Sequence, residues 1–287
     1  MKKRKIAETD FLESSLPQTR RSQFFDILKI NFKLLLKIGF VLIAFLSILL
    51  IKSMLVDHVN NAINLALKDG ALTAEDATQM TNTTFIISEA VNIIGYPLLF
   101  IGLGGTLRVI RQLCFSEGVI FSYLFKKGLK DNLKQFLVMG VITALIQLGI
   151  NAYTTIYGID FISIAMLGLY FLIYLPIIVI YLYYSSIYTS NIAISLRNAG
   201  YFYIKSVLPT LGLVVVIFGP IILMEYFFNF VVVKQLIYVL LAIVVLPILL
   251  LIGYLINLNT FDKTINLSEF KELYRKGLYV PEEDKLL

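Results

Sequence analysis

The residues able to do covalent chemistry are few and far apart. His58 and Cys114 are the only histidine and the only cysteine. They fall on opposite sides of a long apolar stretch, so they cannot form a nucleophile–base pair. No group of His, Cys, Asp and Glu has metal-ligand spacing. A lone cysteine also excludes an internal disulfide. The acids nearest apolar stretches are Glu89, Asp160 and Glu225. All three lie toward the outer ends of those stretches, where a carboxylate reaches water, so none is placed at mid-depth for a proton relay. Amide and hydroxyl groups inside the stretches are Asn92, Thr143, Gln147 and Asn151. Their default role is hydrogen bonding between helices; contact with a substrate is the alternative. This inventory predicts a protein without enzymatic activity and without cofactors or metals.

The elements that position these residues are six apolar stretches: Ile38–Val56, Ile86–Leu107, Gln135–Ile159, Phe161–Tyr183, Val207–Phe228 and Leu236–Ile256. About 20 apolar residues rising 1.5 Å each cross roughly 30 Å of hydrocarbon. The chain is 58% hydrophobic and 15% charged, with a mean hydropathy of +0.82. Soluble domains carry about 25% charged residues. The predicted fold is therefore all-α, a polytopic membrane protein with six transmembrane helices. The start of the chain is a poor signal peptide, because basic Met1–Lys5 is followed by Glu8, Asp10 and Glu13 rather than an apolar core.

Positive charge alternates along the connections. Segments 1–37, 108–134, 184–206 and 257–287 hold 22 of the 25 Lys and Arg residues, leaving Lys52, Lys68 and Lys234 for the other side. The positive-inside bias puts both termini in the cytoplasm. The expected location is a plasma membrane, with the basic side against anionic lipid headgroups. No basic segment forms a separate domain, so nucleic acid is not an expected partner. Arg108, Arg111, Lys126, Lys127, Lys130 and Lys134 make the strongest basic patch, read as a lipid anchor or as a docking surface for an acidic membrane-protein partner. Tyr181, Tyr183, Tyr184 and Tyr188 read as an interfacial aromatic belt.

Three similar units follow one another. Basic amphipathic segments at Phe24–Lys37, Phe121–Lys134 and Ile192–Lys205 each precede an odd-numbered span. In the second, Phe125, Leu129 and Leu133 share one helical face, which should lie on the inner membrane interface. Each even-numbered span carries a proline, at Pro97, Pro176 and Pro247. From the second unit to the third, both the segment and the proline shift by 71 residues. The reading is three parallel hairpin repeats, each preceded by an interfacial amphipathic helix, about an axis along the membrane normal. Tail 1–23 is followed by repeats at 24–111, 112–183 and 184–258, then by tail 259–287. Pro220 adds a fourth break. These prolines bend their helices; the sharper possibility is that the bent helices line a cavity. Gly102, Gly104 and Gly105 permit close helix contact.

The first repeat is longer because of an outer helical hairpin at 57–85. Gly70 ends its first arm, and Thr73 with Asp76 forms a capping box for the second. In the last tail, Asn266 with Glu269 reads as another box starting a short helix that stops at Gly277.

The stretch from Tyr96-Pro97 through Arg108, Arg111 and Gly118 to Phe121–Leu137 resembles the YesL-like family of uncharacterised bacterial integral membrane proteins. In that family a proline-containing helix ends in a basic turn, and a short helix of the type F–x(n)–F–K–x–x–L–K–x–N leads into the next span. Here that helix is Phe121 to Asn132. Leu196-Arg197-Asn198-Ala199 followed by Leu208-Pro209 is also similar, and the likeness covers roughly 30–260. The long outer segment, the N-terminal tail and the lack of Trp depart from it. The resemblance implies an accessory role beside sugar uptake or polysaccharide use, and it supplies no catalytic residues. Two functions are carried forward. One is a non-enzymatic accessory to a transport or cell-envelope system. The other is a small-solute transporter or channel whose cavity would be lined from Pro97, Pro176, Pro220, Pro247, Asn92, Gln147 and Asn151.

Overall fold

A computed structural model describes residues 16–227 and 230–279, without the side chains of 225–227. The Met1–Lys5 cluster, the acids that follow it and the end of the last tail lie outside the described residues, as does the Glu225 side chain. The described chain is helical throughout. The helices are α1 (Arg20–Lys68), α2 (Ala74–Cys114), α3 (Phe121–Tyr157), α4 (Phe161–Leu169), α5 (Leu175–Ile187), α6 (Ile192–Lys205), α7 (Val207–Phe227), α8 (Val231–Leu240) and α9 (Leu246–Phe261). Six helical runs are long and apolar enough to cross a membrane. They are α1, α2, α3, α4 with α5, α7, and α8 with α9 and the turn beyond.

Two spans are continued through π turns. Tyr170–Tyr174 joins α4 to α5, and Leu241–Val245 joins α8 to α9. Each π turn ends just before the Leu-Pro pair of its span, Leu175-Pro176 or Leu246-Pro247. Proline has no N–H to donate and its ring displaces the carbonyl four residues back. A single i→i+5 turn absorbs that mismatch. Pro97 and Pro220 instead sit inside continuous α-helix.

The two ends of the described residues meet, since the Tyr279 N–H donates to the Pro17 carbonyl at 3.0 Å. That end of the bundle is called here the termini end and the opposite one the distal end. The distal hairpin is built as its local signals require. Gly70 takes φ +68 and closes α1, while the Thr73 hydroxyl accepts from the Asp76 N–H at 3.1 Å in a reciprocal capping box.

The spans close into a ring. α1 packs against α2 and α9, α3 against α2 and α5, and α7 against α5 and α9. The three spans that carry Pro97, Pro176 and Pro247 also touch one another, through α2, α5 and α9. Their meeting place is the core. Tyr181, Tyr254, Ile180, Leu251, Leu107 and Ile110 are all fully buried there.

This overturns the reading of the tyrosines as an interfacial belt. Tyr181, Tyr183, Tyr184 and Tyr188 are buried, because α5 is enclosed by α2, α6, α7 and α9. The hydroxyl of Tyr183 donates to the Leu250 carbonyl at 3.3 Å, and Tyr254 shares a hydrogen bond with Ser186 at 3.2 Å.

At the start of α3 the packed face runs through Leu124, Gly128 and Asn132, because Gly128 lets α3 approach the backbone of α2 at Gly104 and Gly105, and Leu133 is 46% exposed. One further expectation changes: the Asn266–Glu269 box does not form. Asn266 is fully buried and bonds Asp262 and Tyr188 instead, and only a 3-10 turn, Lys271–Leu273, follows.

Candidate functional site

A string of polar side chains runs between α2, α3 and the Tyr170–Tyr174 turn. On α2, Glu89, Asn92 and Tyr96 recur at helical spacing on one face. On α3, Thr143, Gln147 and Asn151 do the same. Helices packed side by side bring the two rows together. Asn151 Nδ2 donates to Glu89 Oε1 at 2.9 Å, and Asn92 Nδ2 donates to the same oxygen at 3.2 Å. The Tyr96 hydroxyl donates to Gln147 Oε1, and Gln147 Nε2 donates to the Tyr170 hydroxyl at 3.2 Å. Thr143 and Tyr174 close the string at 2.7 Å.

Asn92, Gln147 and Asn151 are thus brought together, beside Pro97. At this level the two helices touch backbone to side: a Cβ on Gly140 would lie 2.5 Å from the Pro97 Cα. Pro176 follows Tyr174 by two residues and is buried on the neighbouring span. Pro247 is buried in the sixth span, and Pro220 sits half-buried in α7.

Glu89 departs from its expected place. It is 5% exposed and turned into the bundle rather than open to water. The cause is the side chain's position on the α2 face that meets Asn151. Sequence spacing held the signal: positions 89, 92 and 96 on one helix and 143, 147 and 151 on the next are two matching stripes. Asp160 has a different role. It caps α4, its carboxylate accepting from the Ser163 N–H at 2.8 Å and from the Tyr153 hydroxyl at 2.9 Å. The Ser163 N–H is the main reason its carboxyl is held below the usual carboxylate range.

The basic patch divides in two. Lys126, Lys127, Lys130 and Lys134 are exposed along α3. Arg108 lies against Gly128 and is half-buried. Arg111 turns inward, donating to the Ser186 carbonyl at 3.1 Å and lying 5.1 Å from the Phe115 ring. The lysine row and the two arginines therefore do different things. Four cations on one helical surface repel each other unless anions neutralise them, whereas Arg111 satisfies a helix-end carbonyl.

Near the termini end, a cavity of about 550 Å³ opens between α5, α6 and residues 264–270. Tyr184, Tyr188, Arg197, Asn198, Tyr201 and Glu269 are among its walls. Among the described residues no group of three or more His, Cys, Asp and Glu is placed to hold a metal ion. Comparison with protein-family models, curated proteins and solved structures finds no match for the chain.

Proposed function

We propose that this is a non-enzymatic membrane protein that serves a transport or cell-envelope system as an accessory, through contacts at its basic face. The observation that carries the reading is the contrast between a closed centre and a displayed surface. Where α2, α5 and α9 meet, the space is filled by Tyr181, Tyr183, Tyr254 and their aliphatic neighbours. Lys126, Lys127, Lys130 and Lys134 meanwhile face outward on one stretch of α3. A conduit needs the reverse arrangement. In this reading the termini end is cytoplasmic in a bacterial plasma membrane. The lysine row meets anionic headgroups and the acidic surface of a membrane-protein partner; the likeness to YesL-like proteins implies only the accessory role.

Three parallel repeats are part of the proposal, and four observations support them. α3 and α6 start 71 residues apart, at Phe121 and Ile192. The π turns at Tyr170 and Leu241 start 71 apart, as do Pro176 and Pro247. Each odd span sits between two proline-bearing spans. Finally, Gly39 of α1 backs onto the Ile243 backbone and Gly140 of α3 onto the Pro97 backbone. Gly39 and Gly140 are 101 residues apart, as are Lys33 and Lys134. In both, a glycine of an odd span seats against a proline-bearing span, Ile243 lying four residues ahead of Pro247.

The test is crosslinking in native membranes followed by purification. Wild-type protein should bring down a defined membrane-protein partner, and a variant with the four lysines changed to glutamate should lose it. A wild-type protein always recovered alone overturns the reading. The polar string supports a second one, a small-solute transporter whose site lies off-centre between α2 and α3. Uptake into vesicles that is lost with Gln147→Leu would favour it.

A further inference from the structure

One face of α6 lines the cavity near the termini end. Ile194, Arg197, Asn198 and Tyr201 recur there at helical spacing, and all four are among the walls. Tyr184 and Tyr188 at the end of α5, with Glu269 and Phe270 of the last segment, are others. The volume of about 550 Å³ lies within the roughly 300–1,000 Å³ of small-molecule sites. Its aromatic walls are fixed from within the protein. Asn198 Nδ2 donates to the Tyr184 hydroxyl at 2.8 Å, and the Tyr188 hydroxyl donates to Asn266 Oδ1 at 2.5 Å. The Tyr188 ring lies 5.0 Å from that of Phe270.

Two of the walls carry charge, of opposite sign: Arg197 and Glu269. Among the described residues neither side chain has an ion-pair or hydrogen-bond partner, the other included. Both are exposed, where water satisfies them. A ligand entering the cavity displaces that water, and each charge then needs a partner of its own. A purely anionic ligand answers Arg197 and is repelled by Glu269; a purely cationic one meets the reverse. A molecule that carries both signs answers both walls at once.

We propose that this cavity binds a phosphoethanolamine group, the zwitterionic headgroup of a common membrane lipid. Its phosphate accepts from the Arg197 guanidinium, and its ammonium donates to the Glu269 carboxylate. The planar guanidinium fork matches phosphate oxygens. The ammonium gains further from aromatic faces, and Tyr184, Tyr188, Tyr201, Phe202 and Phe270 all line the cavity. Position argues for a headgroup. The fourth and sixth apolar runs end at Ile187 and Asn266, and the cavity lies at those two ends, the depth at which a bilayer turns from hydrocarbon to headgroup. Ile194 and Tyr201 are 40% and 52% exposed, an apolar surface on which the start of an acyl chain can lie. The site shares no residue with the lysine row, so it stands independently of the accessory reading.

The experiment is calorimetric titration of the purified full chain in detergent with two short-chain lipids. Phosphatidylethanolamine carries both charges; phosphatidylglycerol keeps the phosphate and lacks the ammonium. Wild type should bind the ethanolamine lipid roughly 10-fold or more tightly than the glycerol lipid. Glu269→Gln should abolish or reverse that preference, because Arg197 alone favours the anion. Arg197→Gln should weaken both lipids. Both side chains are exposed, so both variants should melt like wild type, and a folding defect would not reverse a ratio. Glycerophosphoethanolamine, the same headgroup without chains, separates the sources. Weaker binding than the lipid assigns the membrane as source, and equal binding assigns a soluble ester; either upholds the site. Equal affinity of wild type for the two lipids, or binding of neither, overturns the proposal. So does a preference that survives Glu269→Gln. Free glycine that displaces the lipid at equal concentration overturns it too, since any zwitterion then suffices.

Discussion

Gly140 and Gly149 lie about two and a half turns apart on α3 and have opposite tolerances. A Cβ at Gly140 meets the Pro97 Cα at 2.5 Å, where backbone cannot yield, while a Cβ at Gly149 meets nothing within 4 Å. Gly140→Ala should therefore destabilise the fold by about 1–3 kcal/mol through overpacking. Gly149→Ala should raise stability by about 0.5–1 kcal/mol through helix propensity. Thermal unfolding of the purified protein in detergent distinguishes the two, and a loss at both positions would mean that α3 does not pack as described. Asp160 gives a pH dependence at the same scale. Its folded-state carboxyl titrates below the unfolded range because the Ser163 N–H donates to the anion. A depressed value stabilises above the unfolded carboxyl's range and is lost as pH falls through the folded one. Amide exchange at residues 161–164 should accelerate as pH drops through that acidic window, beyond the intrinsic pH dependence of exchange. Asp160→Asn should show no such step.

At the level of elements, local signals and tertiary ones part company. The start of α2 is local: Thr73 accepts from the Asp76 N–H, and the Asp76 carboxylate returns to Thr73. Thr73→Ala should cost about 1 kcal/mol and speed hydrogen exchange over the first turn of α2, leaving the Pro97 region unchanged. The Asn266–Glu269 pair has the same spacing and forms no box, because Asn266 bonds Asp262 and Tyr188 instead. The Thr73 cap was readable from sequence because both partners lie within four residues, and so were the six apolar runs, whose length alone decides them. The π turns were not. An i→i+5 turn has no compositional mark of its own, and Pro97 lies in regular helix while Pro176 and Pro247 follow a π turn. The belt assignment of Tyr181 to Tyr188 failed for a related reason. Tyrosine suits both an interface and a core with polar partners, and only the enclosure of α5 decides between them. Glu89 shows the same limit. Its sequence position near a span end suggested water, yet the face it occupies was set by the stripe it shares with Asn92 and Tyr96. The candidate site was thus legible in its residues and illegible in its depth.

At the scale of the whole molecule, the ring of spans is locked from the termini end. Arg20 pairs with Asp262 at 2.7 Å and donates to the Lys276 carbonyl at 2.9 Å. Gln23 donates to the Cys114 carbonyl at 2.7 Å and to the Gly277 carbonyl at 3.1 Å. Lys276 reaches Glu117 at 2.7 Å. The first helix, the α2–α3 connection and the last segment are therefore tied at one place. Gly277 is the keystone on two grounds: its φ is +82, and a Cβ would collide with the Cys114 carbonyl. Only glycine meets both demands without strain. Gly277→Val should expel residues 275–279 from this place and uncover Cys114, which is fully buried in the wild type. Because Cys114 is the only cysteine, thiol labelling of the folded protein reads the event without background. The variant should label many-fold faster, and Gly118→Val, where a Cβ meets nothing within 4 Å, should label like wild type. Equal labelling of both would mean that the last segment does not seal the bundle, and that the ring closes through its spans alone.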